Sequence, residues 1–435
     1  MRLELAEFPV KNVRFSNQTI CNHGILEIDK GEMLGSVLQD KKIAWADMDV
    51  AFPKEKTRIL NVRDVVEPRI KISGPGCVFP GILGPVETVG EGKTHRLSGV
   101  TVMASAEYPP TILSGAYAQN TSILDMWGPA ARITPFASTI NIVLLLKLID
   151  SVSELEAHNA IQLAELKVAS RLAETTRDKT PEGSEIFELF EVDSSLPRVV
   201  YIVGFLTGLH GPHSLVAYYG LPIQEALPTF VHPNEFLDGA FTTDARRGNG
   251  GHTSTWDWMN QAMVLRLLRE HGKRLNFLGV ILQRTRFETE FGKQVSAACA
   301  SQIARLLRAD GAVITRTVPS GNNFMDAMIT LQACERKGIK TALMTPEWGG
   351  ADGTDLPLVF YVPEATAIAS AGSLEREIRL SEPDKVIGVE KGQLARLYLG
   401  DQPFDPWRES VRDGWRDIIG GIDWFGGMRL TCKEY

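Results

Sequence analysis

The stretch Val199-Val200-Tyr201-Ile202-Val203-Gly204-Phe205-Leu206 decides how the second half of the chain is read. Its apolar residues run on without polar alternation, the pattern of a strand buried on both faces. Downstream, the runs 276–282 (NFLGVIL), 312–318, 340–344 and 356–362 repeat it. Helical spacing separates them, over 255–275, 291–309 and 323–337. In the last of these Phe324, Met328, Leu331 and Cys334 share one stripe. Apolar strands alternating with helices predict a doubly wound, mostly parallel α/β domain over 199–435. Sites in such domains sit on loops at the carboxyl ends of the strands. Those loops are 206–214 (LTGLHGPHS), 318–324 (VPSGNNF) and 345–353 (TPEWGGADG).

Upstream, residues 1–176 read as a β-rich domain ending in a long helix. Gly and Pro punctuate short apolar runs, as in SGPGCVFPGILGP at 73–85, which argues for strands with tight connections. Residues 141–148 read as a buried strand. From 151 to about 174 Leu155, Ile161, Leu166, Val168 and Leu172 recur mostly at helical intervals, and Ser151 with Glu154 has the form of a capping box. The charged stretch 177–198 (RDKTPEGSEIFELFEVDSSLPR) is expected to be a linker.

Composition narrows the function. The chain has 435 residues, enough for two or three domains, and its formal net charge of −7 leaves no strongly basic domain for nucleic acid. The longest apolar run, 140–149, is interrupted by Asn141 and Lys147 and falls short of the roughly 20 residues that span a bilayer. The N-terminus has no signal-like apolar core, so the expectation is a cytoplasmic protein. Five scattered cysteines include no CxxC pair, which excludes a thioredoxin-like site. VETVGEGKTHRLSG (86–99) is Gly-rich but lacks the spacing of a phosphate-binding loop.

Eight segments, in order, carry a resemblance. They are DVVEPR (64–69), VFPGIL (78–83), VETVGEGKTHRLSG (86–99), DMWGPAARITPFASTIN (125–141), HPNEFLDGA (232–240), EHGKRLNFLGVIL (270–282), PEWGGADG (346–353) and PDKVIGVEKG (383–392). Together they resemble the precursor-type subunit of component B shared by glycine, sarcosine and betaine reductases and related to D-proline reductase. The resemblance implies a precursor cut at an Asn-Cys bond. The cysteine becomes a pyruvoyl group, whose ketone forms an imine with the substrate amine. It also implies a hetero-oligomer, in which a partner subunit carries the selenocysteine or cysteine that attacks the α-carbon. An imine makes a poor amine leaving group a better one, and no unmodified side chain offers the carbonyl it needs.

The resemblance implies a cut just after the DGA motif, within a segment like GNCVSAC. Here residues 238–251 read DGAFTTDARRGNGG, and unbroken spacing to EHGK puts the cleaved pair at about Ala245-Arg246. Arg246 has no hydroxyl or thiol to attack the preceding carbonyl, so a chain without a pyruvoyl group is expected. Ser254 can in principle make the same acyl shift, but it opens a predicted helix and reads first as its cap.

The substrate expected from the resemblance is a small amino acid or amine. Trp256 and Trp258 flank Asp257, and aromatic faces beside a carboxylate hold quaternary or protonated amines. The alternative is one Trp in the core and one over a loop. Candidate catalytic residues are His210, Glu235, Asp238 and Glu347; the alternative for Asp238 is an Asp-Gly turn. Candidate substrate-binding residues are Arg246, Trp256, Asp257, Trp258 and Asp352. His210, His213 and His252, with Glu347, offer a divalent-metal set. Two rival readings stand beside the reductase subunit. One is a stand-alone metal- or acid/base-dependent lyase or hydrolase, the other a non-catalytic scaffold subunit.

Overall fold

The computed structural model describes residues 1–109, 122–206, 216–223, 226–243, 251–285, 289–317, 320–395, 403–412 and 414–428. The fold is mixed α/β. In the first half, Ser122–Asp125, Thr57–Val66, Val100–Glu107, Ile140–Leu148 and Ile43–Ala51 lie side by side in one sheet. The helix Glu154–Glu174 covers it with Ala157, Ile161, Ala164, Val168 and Leu172. Its capping box is Ser153 with Glu156, two residues later than expected. Val152 is buried in the preceding turn, and the helix starts only after it.

A smaller sheet orders Gly183–Glu188, Arg2–Pro9, Gly92–Ser98 and Arg69–Ser73. The stretch expected as a linker therefore contributes an edge strand, antiparallel to the N-terminal one. Phe187, buried against Leu3 and Leu5, gives that strand its apolar anchor.

In the second half the order is Thr229–Val231, Asn276–Thr285, Arg198–Leu206, Gly311–Arg316, Lys340–Glu347 and Ile368–Ser373. Every neighbouring pair is parallel except the one made by Thr229–Val231. Val200, Ile202, Ile281 and Ile314 share a core with the helices Glu290–Leu306 and Gly321–Glu335. Tyr201, Val203, Val280 and Leu282 pack the opposite way, against the helix Ala262–Glu270 and against Leu3, Leu5 and Phe187 of the first half. Burial on both faces is why 199–206 is apolar throughout.

Two expected elements differ. The stretch 356–362 is not a strand: Leu356 is 84% exposed, Val359 54% and Tyr361 58%, and Pro357 and Pro363 lack ladder donors. The helix expected over 255–275 is two, Thr255–Met259 and Ala262–Glu270, because the Gln261 side chain caps Val264 and starts a new helix.

The C-terminal stretch returns to the first half. Lys385–Ile387 runs parallel to Thr57–Ile59 at the edge of the first sheet. Arg58, fully buried, binds both oxygens of Asp125 at 2.7 and 2.9 Å and donates to the carbonyls of Ser381 and Pro406, each at 2.7 Å. A charge in that position is stable only because every donor of its fork finds an acceptor. No described helix is long and apolar enough to cross a membrane.

Candidate functional site

The motif HPNEFLDGA folds as the single turn Asn234–Leu237 followed by the strand Phe241–Thr243. Asp238, fully buried, closes that turn. Its Oδ2 accepts from the Lys71 ammonium and from the Gly90 N–H at 2.7 Å, and Oδ1 accepts from the Thr94 hydroxyl at 2.6 Å. Burial pushes its pKa up, and the Lys71 charge pulls the other way. Glu235 accepts from the hydroxyls of Tyr218 and Tyr219 at 2.6 and 3.0 Å and from the His232 N–H at 3.0 Å. The Asn234 amide donates to the carbonyls of Gly90 and Phe187. Arg69 pairs with Glu67 at 2.6 Å and donates to the carbonyls of Leu237 and Met259. At Gly239, with φ +83°, a Cβ would stand 2.9 Å from the Phe79 nitrogen. Four of the recognised motifs, 64–69, 78–83, 86–99 and 232–240, thus meet at one junction. Of the three acids expected to be catalytic, Asp238 and Glu235 have their carboxylates engaged by the framework.

That junction holds the ends of the segment that the sequence singles out. Residues 244–250, with Arg246, lie outside the described residues, but both flanks are defined. The Thr243 N–H donates to the Thr255 hydroxyl at 3.0 Å, and the Thr243 hydroxyl donates to the Thr253 carbonyl at 2.9 Å. Gln162 donates to the Thr243 carbonyl at 2.9 Å. The N–H and hydroxyl of Thr255 both donate to Asp64, at 2.8 and 2.5 Å.

Two buried acids lie behind this clasp. Asp64 is pushed up to about 7 by burial, against the pull of its Thr255 bonds, with a smaller push from Asp257. Glu165 accepts from the Ala104 N–H at 3.1 Å, and its Oε2 has no partner among the described residues. Burial raises its pKa well above the ordinary value, and the charge of Asp64 adds to the rise. In both, burial disfavours the charged form. Neither was singled out as a site residue. Glu165 left a signal, an acid in the apolar stripe between Ile161 and Val168; Asp64 left only its place in DVVEPR.

Trp256 and Trp258 do not form a cage. Trp258 is 1% exposed and packs against Phe236, Phe241 and Phe425. Trp256, half-buried, meets the edge of Phe136 at 5.4 Å. Successive helical residues point about 100° apart, so positions 256 and 258 diverge. Trp256 and Asp257 line a cavity of about 630 Å³ together with Arg96, Asn260, Asp423 and Trp424. Asp257 accepts from the N–H and hydroxyl of Ser254 at 2.7 and 2.8 Å, a capping box that makes Ser254 the helix cap. Burial pushes Asp257 up to about 6, and Asp423 adds to the rise. Glu347 ends the strand Lys340–Glu347, half-buried. Asp352 is exposed and closes a turn on Thr354. His252 is buried; His210 and His213 lie outside the described residues. Among the described residues no three His, Cys, Asp or Glu side chains are grouped to hold a metal.

Residues 1–401 match the glycine/sarcosine/betaine reductase component B subunits. The chain belongs to this family. It is 32% identical over the full length of both chains to the glycine reductase complex component B subunits alpha and beta of Acetoanaerobium sticklandii. It is 31% identical to the sarcosine reductase complex component B subunit alpha of Peptoclostridium acidaminophilum, over 89% of this chain and 90% of the other. With the betaine reductase complex component B subunit alpha of the same organism it shares 33%, over 91% and 89%. No solved structure matches.

Proposed function

We propose that the chain is the substrate-binding subunit of a reductive C–N bond-cleaving complex acting on a small amino acid or amine of the glycine, sarcosine or betaine kind. The observation that carries this is the junction itself. Residues from four motifs meet around Asp238, Arg69 and Gly239, and Asp64 of one of them binds Thr255, which flanks the stretch that contains Ala245-Arg246. In this chain that stretch holds no residue able to become a pyruvoyl group at the expected position. The substrate is then held without an imine, and a thiol or selenol of a partner subunit attacks its α-carbon. A carbon–sulfur or carbon–selenium bond forms as the C–N bond breaks, and the electron pair of that bond leaves with the nitrogen. The nitrogen departs as a neutral amine, so it must be quaternary or protonated beforehand. Asp257, at the cavity wall, is an acid placed to accompany such a cation.

Intact mass spectrometry of the purified chain tests the unprocessed state. The expected result is one species with the mass of the whole chain; two fragments joined within 241–255 would overturn it. Amine release that requires the partner subunit separates this reading from the stand-alone lyase. Loss of that release on changes at the cavity separates it from a scaffold.

A further inference from the structure

We propose that the outer face of the helix Glu290–Leu306 is a docking surface for a second copy of this chain, the two helices lying antiparallel about a two-fold axis near Ala298. Phe291 is 74% exposed, Leu306 72% and Val295 40%. At about 100° per residue, Phe291, Val295, Ala298, Gln302 and Leu306 fall within about 80° of one another, and Gln302 is the one polar member of that outward stripe. The outer stripe of a helix on a soluble protein is ordinarily polar or charged, and clustered exposed apolar residues mark an interaction site. The inward side of this helix is already engaged. Ala300 and Ala304 share a core with Ile281 and Phe324, Lys293 pairs with Asp326 at 2.8 Å, and the Ser301 hydroxyl accepts from Lys337 at 2.7 Å.

The apolar surface continues past the helix. Phe230, on the edge strand Thr229–Val231, stands opposite Ile281 and so points to the same face of the sheet. Its ring lies over Gly279, where a Cβ would stand 2.5 Å from it, and it stays 41% exposed. Three features point to a second copy as the occupant. First, the face is complementary to itself in charge. Glu290 lies in the first turn and Arg305 in the last, with Arg308 just beyond, and all three are exposed. When Phe291 of one copy meets Leu306 of the other, each Glu290 comes beside Arg305 and Arg308 of the other copy, and the axis makes that pairing twice. Second, Ala298 at the axis is small enough for two helices to approach closely. Third, the helix covers the face of the sheet turned away from the cavity, whose wall includes Ala262, Leu265, Arg266 and Arg269 of the helix on the opposite face. A second copy seated here leaves that cavity open, whereas a protein that delivers a nucleophile to the cavity has to dock elsewhere.

The test is sedimentation velocity of the full chain at micromolar concentrations, with F291E, L306E, E290R and E290R/R305E/R308E beside the parent. The parent is expected to sediment as a species of twice the chain mass. F291E and L306E are each expected to raise the dimer dissociation constant by at least about a hundredfold, because the axis removes two anchors at once. E290R is expected to raise it about fivefold, the axis counting each exposed ion pair twice, and the triple variant to restore it. The helix dipole also favours an acid at the start of a helix and arginines at its end, but it cannot make a full charge reversal restore a dimer. All the substituted positions are exposed, so the fold is expected to survive, and the charge series decides the matter if the glutamates at 291 and 306 do not allow it. A parent that stays monomeric overturns the inference, as does a dimer that F291E and L306E leave intact. A chain that is monomeric until another protein of the complex is added, with that binding lost in F291E, assigns the face to a different partner and overturns it too.

Discussion

Replacing Asp64 by asparagine removes one negative charge from a buried pair of carboxyl groups while keeping an acceptor oxygen for the Thr255 and Val65 N–H groups. Asp64 is 5% exposed, and burial pushes its pKa from 3.8 up to about 7. The folded chain thus binds this proton more tightly than the unfolded chain does. The resulting stability is complete below about pH 4 and is lost as the pH rises through about 7. A rise of about three units corresponds to about 4 kcal/mol in total, of which about 2–3 kcal/mol falls between pH 5 and pH 8. Urea unfolding followed by tryptophan fluorescence at a series of pH values reads this directly, since the chain has eight tryptophans. The parent is expected to lose about 2–3 kcal/mol over that range through this one group, and D64N to lack that part of the slope. Glu165→Gln is expected to act in the same direction, because burial and the charge of Asp64 both raise the Glu165 pKa. The double variant should change the slope by less than the two single changes summed, because each acid raises the pKa of the other. A D64N profile parallel to the parent at every pH would show that burial does not hold the Asp64 proton.

The Lys71–Asp238 pair is buried on both sides, so K71M, which strands the aspartate charge, is expected to cost about 3–5 kcal/mol in urea unfolding. K71M/D238L should recover most of that loss, and equal stability of K71M and the parent would contradict a structural role for the pair. Ser254→Ala removes the capping box and is expected to cost about 1 kcal/mol with no change in the pattern of intact masses. A processed parent and an unprocessed S254A would instead make Ser254 a cleavage residue. Trp258→Ala empties a space among Phe236, Phe241 and Phe425 and is expected to cost about 3–5 kcal/mol, a loss visible as a lower urea midpoint.

The strand at 199–206 is legible because both of its faces are buried, so its sequence carries no polar positions to blur the pattern. The same logic misreads 356–362, where Leu356, Val359 and Tyr361 face solvent while Val362 is buried. A run of apolar letters does not say what covers it, and the prolines at 357 and 363 were the better guide. The edge strand Gly183–Glu188 hides for the opposite reason. It needs one buried anchor, Phe187, and its other positions are free to be charged. Asp238 and Glu235 read as site residues because they precede the altered segment, where an acid could pair with an amine. What the sequence could not show is the lysine, the tyrosines and the backbone N–H groups that reach them from segments more than a hundred residues away or across a turn.

Those distant partners separate family membership from reaction. Asp238 needs Lys71, Gly90 and Thr94 for the chain to fold, whatever chemistry follows, because an unpaired carboxylate at that depth is costly. Arg69 and Gly239 are bound by similar steric and hydrogen-bonding demands. The motifs that carry the resemblance are therefore held by folding energetics. On either side of 244–250 the holding is done by two threonine hydroxyls, Thr255 accepting from the Thr243 N–H and Thr243 donating to the Thr253 carbonyl. Under the proposed function, a chain with Ala245-Arg246 in place of an Asn-Cys pair has no pyruvoyl group, and the task of binding substrate falls to groups that line the cavity without covalent help.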